Sequence, residues 1–213
     1  MFTTDHRRIL GEWLHRHRGW GLVPLLAIGL FFDVRVWPAG RGNFMMVAGA
    51  AGILFGTLLR IVCSTFISHR EAHDPGRSHG LITNGPYAIS RNPAYLGEAA
   101  IALGIAMMSR MPWFVLVTLI GGLLVLALVI EWEEETLRHL YGKTYEDYCH
   151  IVPRWFSWSR MLHPDCYLKT RGSVRLLAAL RAESGTLLVG LLAILAFITK
   201  ADLEILFFRQ FTP

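Results

Sequence analysis

The sequence predicts an all-α, multi-pass transmembrane helical bundle of about five spans, each needing about 20 mainly apolar residues to cross a bilayer. Three observations carry that expectation. Of 213 residues, 53% are hydrophobic and only 17% charged, where a soluble domain carries about a quarter charged, and the mean hydropathy is +0.40. The apolar residues gather into long runs nearly free of charge. The basic residues fall into alternate intervals between those runs, a bias that orients membrane proteins and that a soluble chain has no reason to show. This composition excludes a disordered chain and a collagen-like fibre. A net charge of +5 spread along such a chain gives no footprint for nucleic acid, and no nucleic-acid partner is expected. Three cysteines, Cys63, Cys149 and Cys166, do not make a disulfide framework.

The spans follow in order. Trp20 to Trp37 is interrupted only by Asp33 and Arg35, near its far end. Residues 1–18 before it are polar, and no small-residue cleavage site follows before charge returns, so the first run is expected to be a retained span. Gly42 to Leu59 is uncharged, and beyond Arg60 the run continues to Phe66. Within it Ala48, Gly49, Ala51, Gly52 and Gly56 make a small-residue face suited to close helix packing. Pro93 to Ser109 holds one charge, Glu98; Met111 to Ile130 holds none; Ser184 to Thr199 is uncharged between Glu183 and Lys200.

Arg7, Arg8, Arg16 and Arg18 precede the first span. Arg60, Arg70, Arg77 and Arg91 lie between the second and third. Arg138, Lys143, Arg154, Arg160, Lys169, Arg171, Arg175 and Arg181 lie between the fourth and fifth. Those sixteen of the 21 basic residues fall on one side, leaving Arg35, Arg41, Arg110, Lys200 and Arg209 for the other. The positive-inside rule then makes the N-terminus and both long connections cytoplasmic. The division expected is a cytoplasmic segment over 1–18, a membrane-embedded core over 19–156, and an interfacial segment with an additional transmembrane helix over 157–213.

Ser68 to Asn92 is rich in Gly, Pro, His and Asn, and its turn punctuation predicts an ordered loop more than a helix. Glu131 to Tyr141 reads as a charged continuation of the fourth span that Gly142 ends, and Tyr145 to His150 as a shorter helix before Pro153. Trp155, Phe156, Trp158, Met161 and Leu162, mixed with Arg154 and Arg160, suit either the headgroup level of a membrane or a packed aromatic corner on the protein itself. Ser173 to Glu183 could lie at the interface before the last span, which could in turn pack against a second copy in a homodimer. No internal repeat, Walker-type loop or GxGxxG turn occurs.

Two local patterns carry chemistry. The first is His79-Gly-Leu81-Ile82-Thr-Asn-Gly85-Pro86-Tyr87, followed by Arg91-Asn92-Pro93-Ala94-Tyr95-Leu-Gly97. The second is Glu133-Glu134-Glu-Thr-Leu137, Tyr141-Gly142, Tyr145, Tyr148 and Val152-Pro153-Arg154. Together, over about residues 45 to 156, they resemble the membrane-embedded methyltransferases typified by the isoprenylcysteine carboxyl methyltransferases, with the phospholipid N-methyltransferases as relatives. The resemblance implies S-adenosylmethionine as methyl donor, leaving as S-adenosylhomocysteine. It implies a cofactor pocket formed by the cytoplasmic loop and C-terminal helices, and a lipophilic or small acceptor reaching it from the bilayer. It places donor contacts at His79, Leu81, Ile82, Tyr87, Asn92, Pro93, Ala94, Tyr95, Glu133 and Glu134. Arg91, Arg154 and Glu98 are the candidates for handling the acceptor. A direct in-line displacement needs no covalent nucleophile, so none is assigned.

The ester-forming branch shows Arg-His-Pro where this chain has Arg91-Asn92-Pro93, and the arginine contacting acceptor in that branch aligns with Ile130. Both departures weaken a carboxylate acceptor relative to an amine headgroup. Glu98 fits either a base or ammonium-binding group, or an ordinary partner for Arg91 or Arg60. His69 and His73 share a helix-face spacing seen in metal sites, but no matching set lies downstream and no metal is expected. The reading from another class is a non-catalytic membrane scaffold or transporter subunit sharing the fold.

Overall fold

The computed structural model describes residues 9–14, 21–31, 39–73, 80–162 and 176–211, and within them there is no strand. A helical segment at residues 9–14 (α1) precedes α2 (Leu22–Phe31), α3 (Ala39–His73), a 3-10 turn (Gly85–Ala88), α4 (Pro93–Met108) and α5 (Pro112–Tyr141). Then come α6 (Lys143–Ile151), α7 (Trp158–Met161), α8 (Leu176–Ala182) and α9 (Ser184–Phe211). The protein is an all-α membrane bundle, and Asn43–Ile67, Pro112–Tyr141 and Ser184–Ala201 are long and apolar enough to cross a bilayer. In each, fewer than a third of the residues in the most apolar stretch are buried, and the rest are exposed or only partly covered. The described part of α2 has 10 residues and α4 has 16, both short of the about 20 that span hydrocarbon.

Helix α3 departs from expectation. The sequence suggested a loop from Ser68, whereas the helix runs on to His73. Asp74-Pro75 follows directly. Proline pushes the residue before it out of helical conformation, and nothing between Phe66 and that point breaks a helix. Helix α5 runs as read, through the apolar stretch and on through its glutamates. Gly142 stops it at φ 50° and ψ −127°, a conformation that suits glycine alone.

The chain divides into two compact units. One comprises 17–57, 99–123 and 185–213. Its core joins Leu22, Ile53, Ile101, Ile105, Met108, Ala193 and Phe197. In lipid no hydrophobic force pulls helices together, so close packing must do it. Gly49 and Gly104 meet backbone to backbone, and a Cβ on either would lie 2.6 Å from the other's carbonyl oxygen. Gly190 of α9 packs less closely, a Cβ there lying 3.1 Å from the Ile53 side chain and 3.5 Å from that of Thr57. At the far end Lys200 Nζ donates to the Leu30 carbonyl at 2.9 Å. The other unit comprises 1–16, 58–98 and 124–184 and carries both sequence patterns.

Overpacking at such a contact costs about 1–3 kcal/mol. Gly104→Ala should therefore lower the thermal midpoint of detergent-solubilised protein. Gly121→Ala, with nothing within 4 Å of the added carbon, should leave it unchanged or raise it.

Candidate active site

The site is assembled where the two patterns meet. Gly85 opens the 3-10 turn at φ 61°, and a Cβ there would lie 2.2 Å from the Phe66 ring, so the loop can lie against α3 only with glycine. From Ser90 to Asn92 the chain runs beside Pro153 and Arg154. Arg91 N donates to the Pro153 carbonyl at 3.0 Å. The Arg154 carbonyl accepts from Ser90 Oγ at 3.3 Å and from Asn92 Nδ2 at 3.1 Å. Ser90 Oγ also accepts from the Asn92 backbone amide at 3.0 Å. Asn92 then leads into α4, where Pro93 occupies the first turn with no amide hydrogen to lose.

Glu134 is the centre of the cluster. It lies one helical turn past Ile130, where the uncharged run of α5 ends, and is 1% exposed. A carboxylate so deeply buried is tolerated only when paired and hydrogen-bonded. Arg154 grips it at two points, Nε to Oε1 at 3.1 Å and Nη2 to Oε2 at 2.7 Å. Asn92 Nδ2 donates to Oε1 at 3.2 Å. The guanidinium groups of Arg91 and Arg138 stand 3.6 Å away. The bond to Glu134 holds the Arg154 guanidinium above its ordinary pKa. Arg91 donates through Nη1 to the Cys149 sulfur, while its Nε is buried without a hydrogen-bond partner among the described residues.

Tyrosines line the neighbourhood. Tyr95 donates its hydroxyl to Glu133 Oε2. Tyr145, Tyr148 and Val152 of the α6 region form a buried cluster, with Leu81, Leu137, Tyr141 and Cys149 packed against it. Tyr148 donates to the Tyr87 carbonyl at 2.6 Å, tying α6 to the loop. The Arg138 guanidinium stands 5.9 Å from the Tyr145 ring centroid, within cation–π reach. Burial pushes both hydroxyls above the usual tyrosine range, and for Tyr145 the charge of Glu134 adds to it.

The structure thus brings together Leu81, Tyr87, Arg91, Asn92, Tyr95, Glu133, Glu134 and Arg154. Pro93 is buried, and Ile82 and Ala94 are half-buried on the same stretches. His79 lies outside the described residues, as do Cys166 and the side chains of His69 and His73. Glu98 pairs with Arg60 at 3.1 Å. Arg60 also forks onto Glu183, Nε to Oε2 at 2.8 Å and Nη2 to Oε1 at 3.3 Å, and Ser64 Oγ donates to Glu183 at 2.7 Å. Of the two partners expected for Glu98, Arg60 is the one it has. Sequence reasoning missed Ser90, Arg138, Cys149 and Glu183 as members of these clusters. Only Arg138 had a local signal, being four residues after Glu134 on one helix face. Among the described residues no three His, Cys, Asp or Glu side chains gather as a metal site would need.

A phospholipid methyltransferase family model matches residues 44–144. A cobalt-zinc-cadmium resistance protein of Cupriavidus metallidurans is 27% identical over 153 residues, 70% of this chain and 68% of that protein. The protein-S-isoprenylcysteine O-methyltransferase of Xenopus laevis is 27% identical over 115 residues, 52% of this chain and 40% of its own. That of Rattus norvegicus is 30% identical over 130 residues, 55% and 43% respectively. The chain therefore spans about two fifths of the length of those two methyltransferases. No solved structure matches.

Removing Arg154 would strand a buried carboxylate, at a cost of about 1–3 kcal/mol or more for a charged group. Arg154→Ala should lower the unfolding midpoint in detergent, and Glu134→Gln combined with it should recover part of the loss. Raised tyrosine pKa values stabilise the fold in full below about pH 10, where unfolded tyrosine begins to ionise. That contribution is lost as pH rises through the higher folded values. Stability should therefore fall above that pH less steeply in Tyr148→Phe than in the wild type, as read from unfolding midpoints across pH.

Proposed function

We propose that the chain is an integral-membrane methyltransferase akin to the phospholipid and isoprenylcysteine enzymes it resembles, and that it moves a methyl group from S-adenosylmethionine to a lipophilic or small acceptor at the membrane–water boundary. The observation that supports this most is the convergence of the loop around Asn92 and the end of α5 on one buried, cation-rich cluster. In this reading the cluster and its loops face the cytoplasm, as the distribution of basic residues suggests.

The residues present fit the donor. Arg91 Nε, buried and without an acceptor among the described residues, is suited to an anionic oxygen such as the amino-acid carboxylate. Glu133, held by the Tyr95 hydroxyl, would accept from ribose hydroxyls or an ammonium. Leu81, Ile82 and Tyr87 would supply apolar and aromatic walls, with Pro93, Ala94 and the undescribed His79 completing the contacts the family resemblance implies. Glu134, already accepting three hydrogen bonds, would hold Arg91, Asn92 and Arg154 in place. When bound, S-adenosylmethionine supplies an electrophilic methyl group on a sulfonium, displaced in line. The protein's share is orientation and exclusion of water, which need no covalent intermediate.

For the acceptor, a prenylated or otherwise lipophilic carboxylate would use the positive charge that three arginines leave around one carboxylate. An amine headgroup is the second reading. The observation favouring it is Glu98, a carboxylate of α4 that is paired with Arg60 and could bind an ammonium group.

Calorimetry in detergent should show S-adenosylmethionine binding. Arg91→Ala and Tyr95→Phe should each weaken it about tenfold or more, the worth of a hydrogen bond to a charged group. Folded wild type that binds nothing at millimolar donor would sink the proposal. Incubating membranes with isotope-labelled donor, then analysing lipids and thiols by mass spectrometry, would identify the acceptor.

A further inference from the structure

The unit that carries the site also carries exposed apolar residues in two places far apart in sequence. In α1, Ile9 is 67% exposed, and Leu10 and Trp13 are exposed beside it. After Arg154, Trp155, Phe156, Trp158 and Leu162 are exposed, the last two at 71% and 75%. Between these regions, α6 shows the opposite character, its exposed side chains being Lys143, Thr144, Glu146, Asp147 and His150 before Ile151. Exposed surface that changes from polar to aromatic within a few residues faces two different media.

Two contacts fix the depth of the apolar places. Gly11 lies against α5 so closely that a Cβ would sit 2.6 Å from Trp132 Cβ and 3.4 Å from the Leu128 carbonyl. Arg154 is bound to Glu134 at 2.7 Å. Leu128, Trp132 and Glu134 bracket the end of the uncharged run of α5 at Ile130, so both segments attach where hydrocarbon gives way to headgroups. On the hydrocarbon side of that level, Leu124 and Val125 of the same helix are exposed, so the apolar surface continues into the lipid-facing surface of α5.

We infer that α1 and residues 155–162 form an interfacial collar that lies in the headgroup–acyl boundary of the bilayer, with their exposed aromatic and aliphatic side chains in lipid. The collar is fastened to the site, because Arg160 Nε donates to the Ala88 carbonyl at 2.6 Å at the end of the 3-10 turn. Trp158 and Phe156 stack edge to face with centroids 4.8 Å apart, presenting one broad aromatic surface. The lipid thus holds the loop that leads to Asn92 at the boundary, whatever reaction takes place there.

The test uses the full-length protein in phosphatidylcholine–phosphatidylglycerol vesicles, without any activity measurement. Difference fluorescence between wild type and Trp155→Phe/Trp158→Phe isolates those two indoles, and Trp13→Phe does the same for α1. These changes keep an aromatic ring, and circular dichroism checks that each variant folds. Lipids brominated high on the acyl chain, at the depth of interfacial faces about 5–10 Å into the boundary, should quench both difference signals several-fold more than aqueous acrylamide does. Strong acrylamide quenching with little bromine effect would place the segments in water and overturn the inference. Insensitivity to both, with cross-linking between copies, would assign the surface to a second chain and overturn it as well.

Discussion

A single buried carboxylate governs the arrangement of the functional unit. Glu134 sits where α5 leaves its apolar stretch, and a charge at 1% exposure costs several kcal/mol unless partners are brought to it. Arg154 arrives from 20 residues later and Asn92 from 42 residues earlier. Bringing them there forces the loop before α4 and the segment after α6 to run side by side. Once adjacent, their backbones complete the join through Arg91 N, Ser90 Oγ and the Arg154 carbonyl. The bond from Tyr148 to the Tyr87 carbonyl fastens α6 itself to the same loop. The stability of this corner and the geometry of its cations are therefore one property.

The segment that follows the residues matched by the family model, up to Ser184, belongs to the same unit and is held there by the same kind of bond. Glu183, at the joint between α8 and α9, takes two nitrogens of Arg60 and the hydroxyl of Ser64. A residue of that kind in a membrane protein is expensive, and it persists where a partner of opposite charge faces it. Arg60 interrupts an otherwise apolar run that continues beyond it to Phe66. In the fold it is the cation shared by Glu98 and Glu183, so the apparent interruption of α3 is a point of attachment.

What could be read from the sequence was what leaves a local pattern. Uncharged runs pointed to the three helices long and apolar enough to cross a bilayer, the glutamates after Ile130 to the extension of α5, and Gly142 to its end. The end of α3 at His73 was missed because the loop-like composition of the segment outweighed the more decisive Asp74-Pro75 just after it. The pairings of Arg60 with Glu183 and of Arg91 with Cys149 were out of reach. They join residues 123 and 58 positions apart, and no periodicity or spacing records which of many charges will meet. The motif residues around Asn92 and Glu134 could be named from the resemblance, but that Glu134 accepts bonds from this chain's own side chains required the fold.

The two departures from the ester-forming pattern have different meanings in physical terms. Asn92 uses a single nitrogen to donate twice, to Glu134 and to the Arg154 carbonyl. A histidine nitrogen carries one hydrogen at most, so it could not make both bonds from one atom. Asparagine at this position thus suits the way the two segments are joined. Ile130 is different. It is fully buried and apolar, so α5 places no cation at that point, and the cations gathered around Glu134 among the described residues are Arg91, Arg138 and Arg154. Those three already share Glu134, with Arg154 the most fully engaged and Arg91 Nε left over. Arg91 stands directly before Asn92, so its position is set by the same join that fastens Asn92 to Glu134 and Arg154.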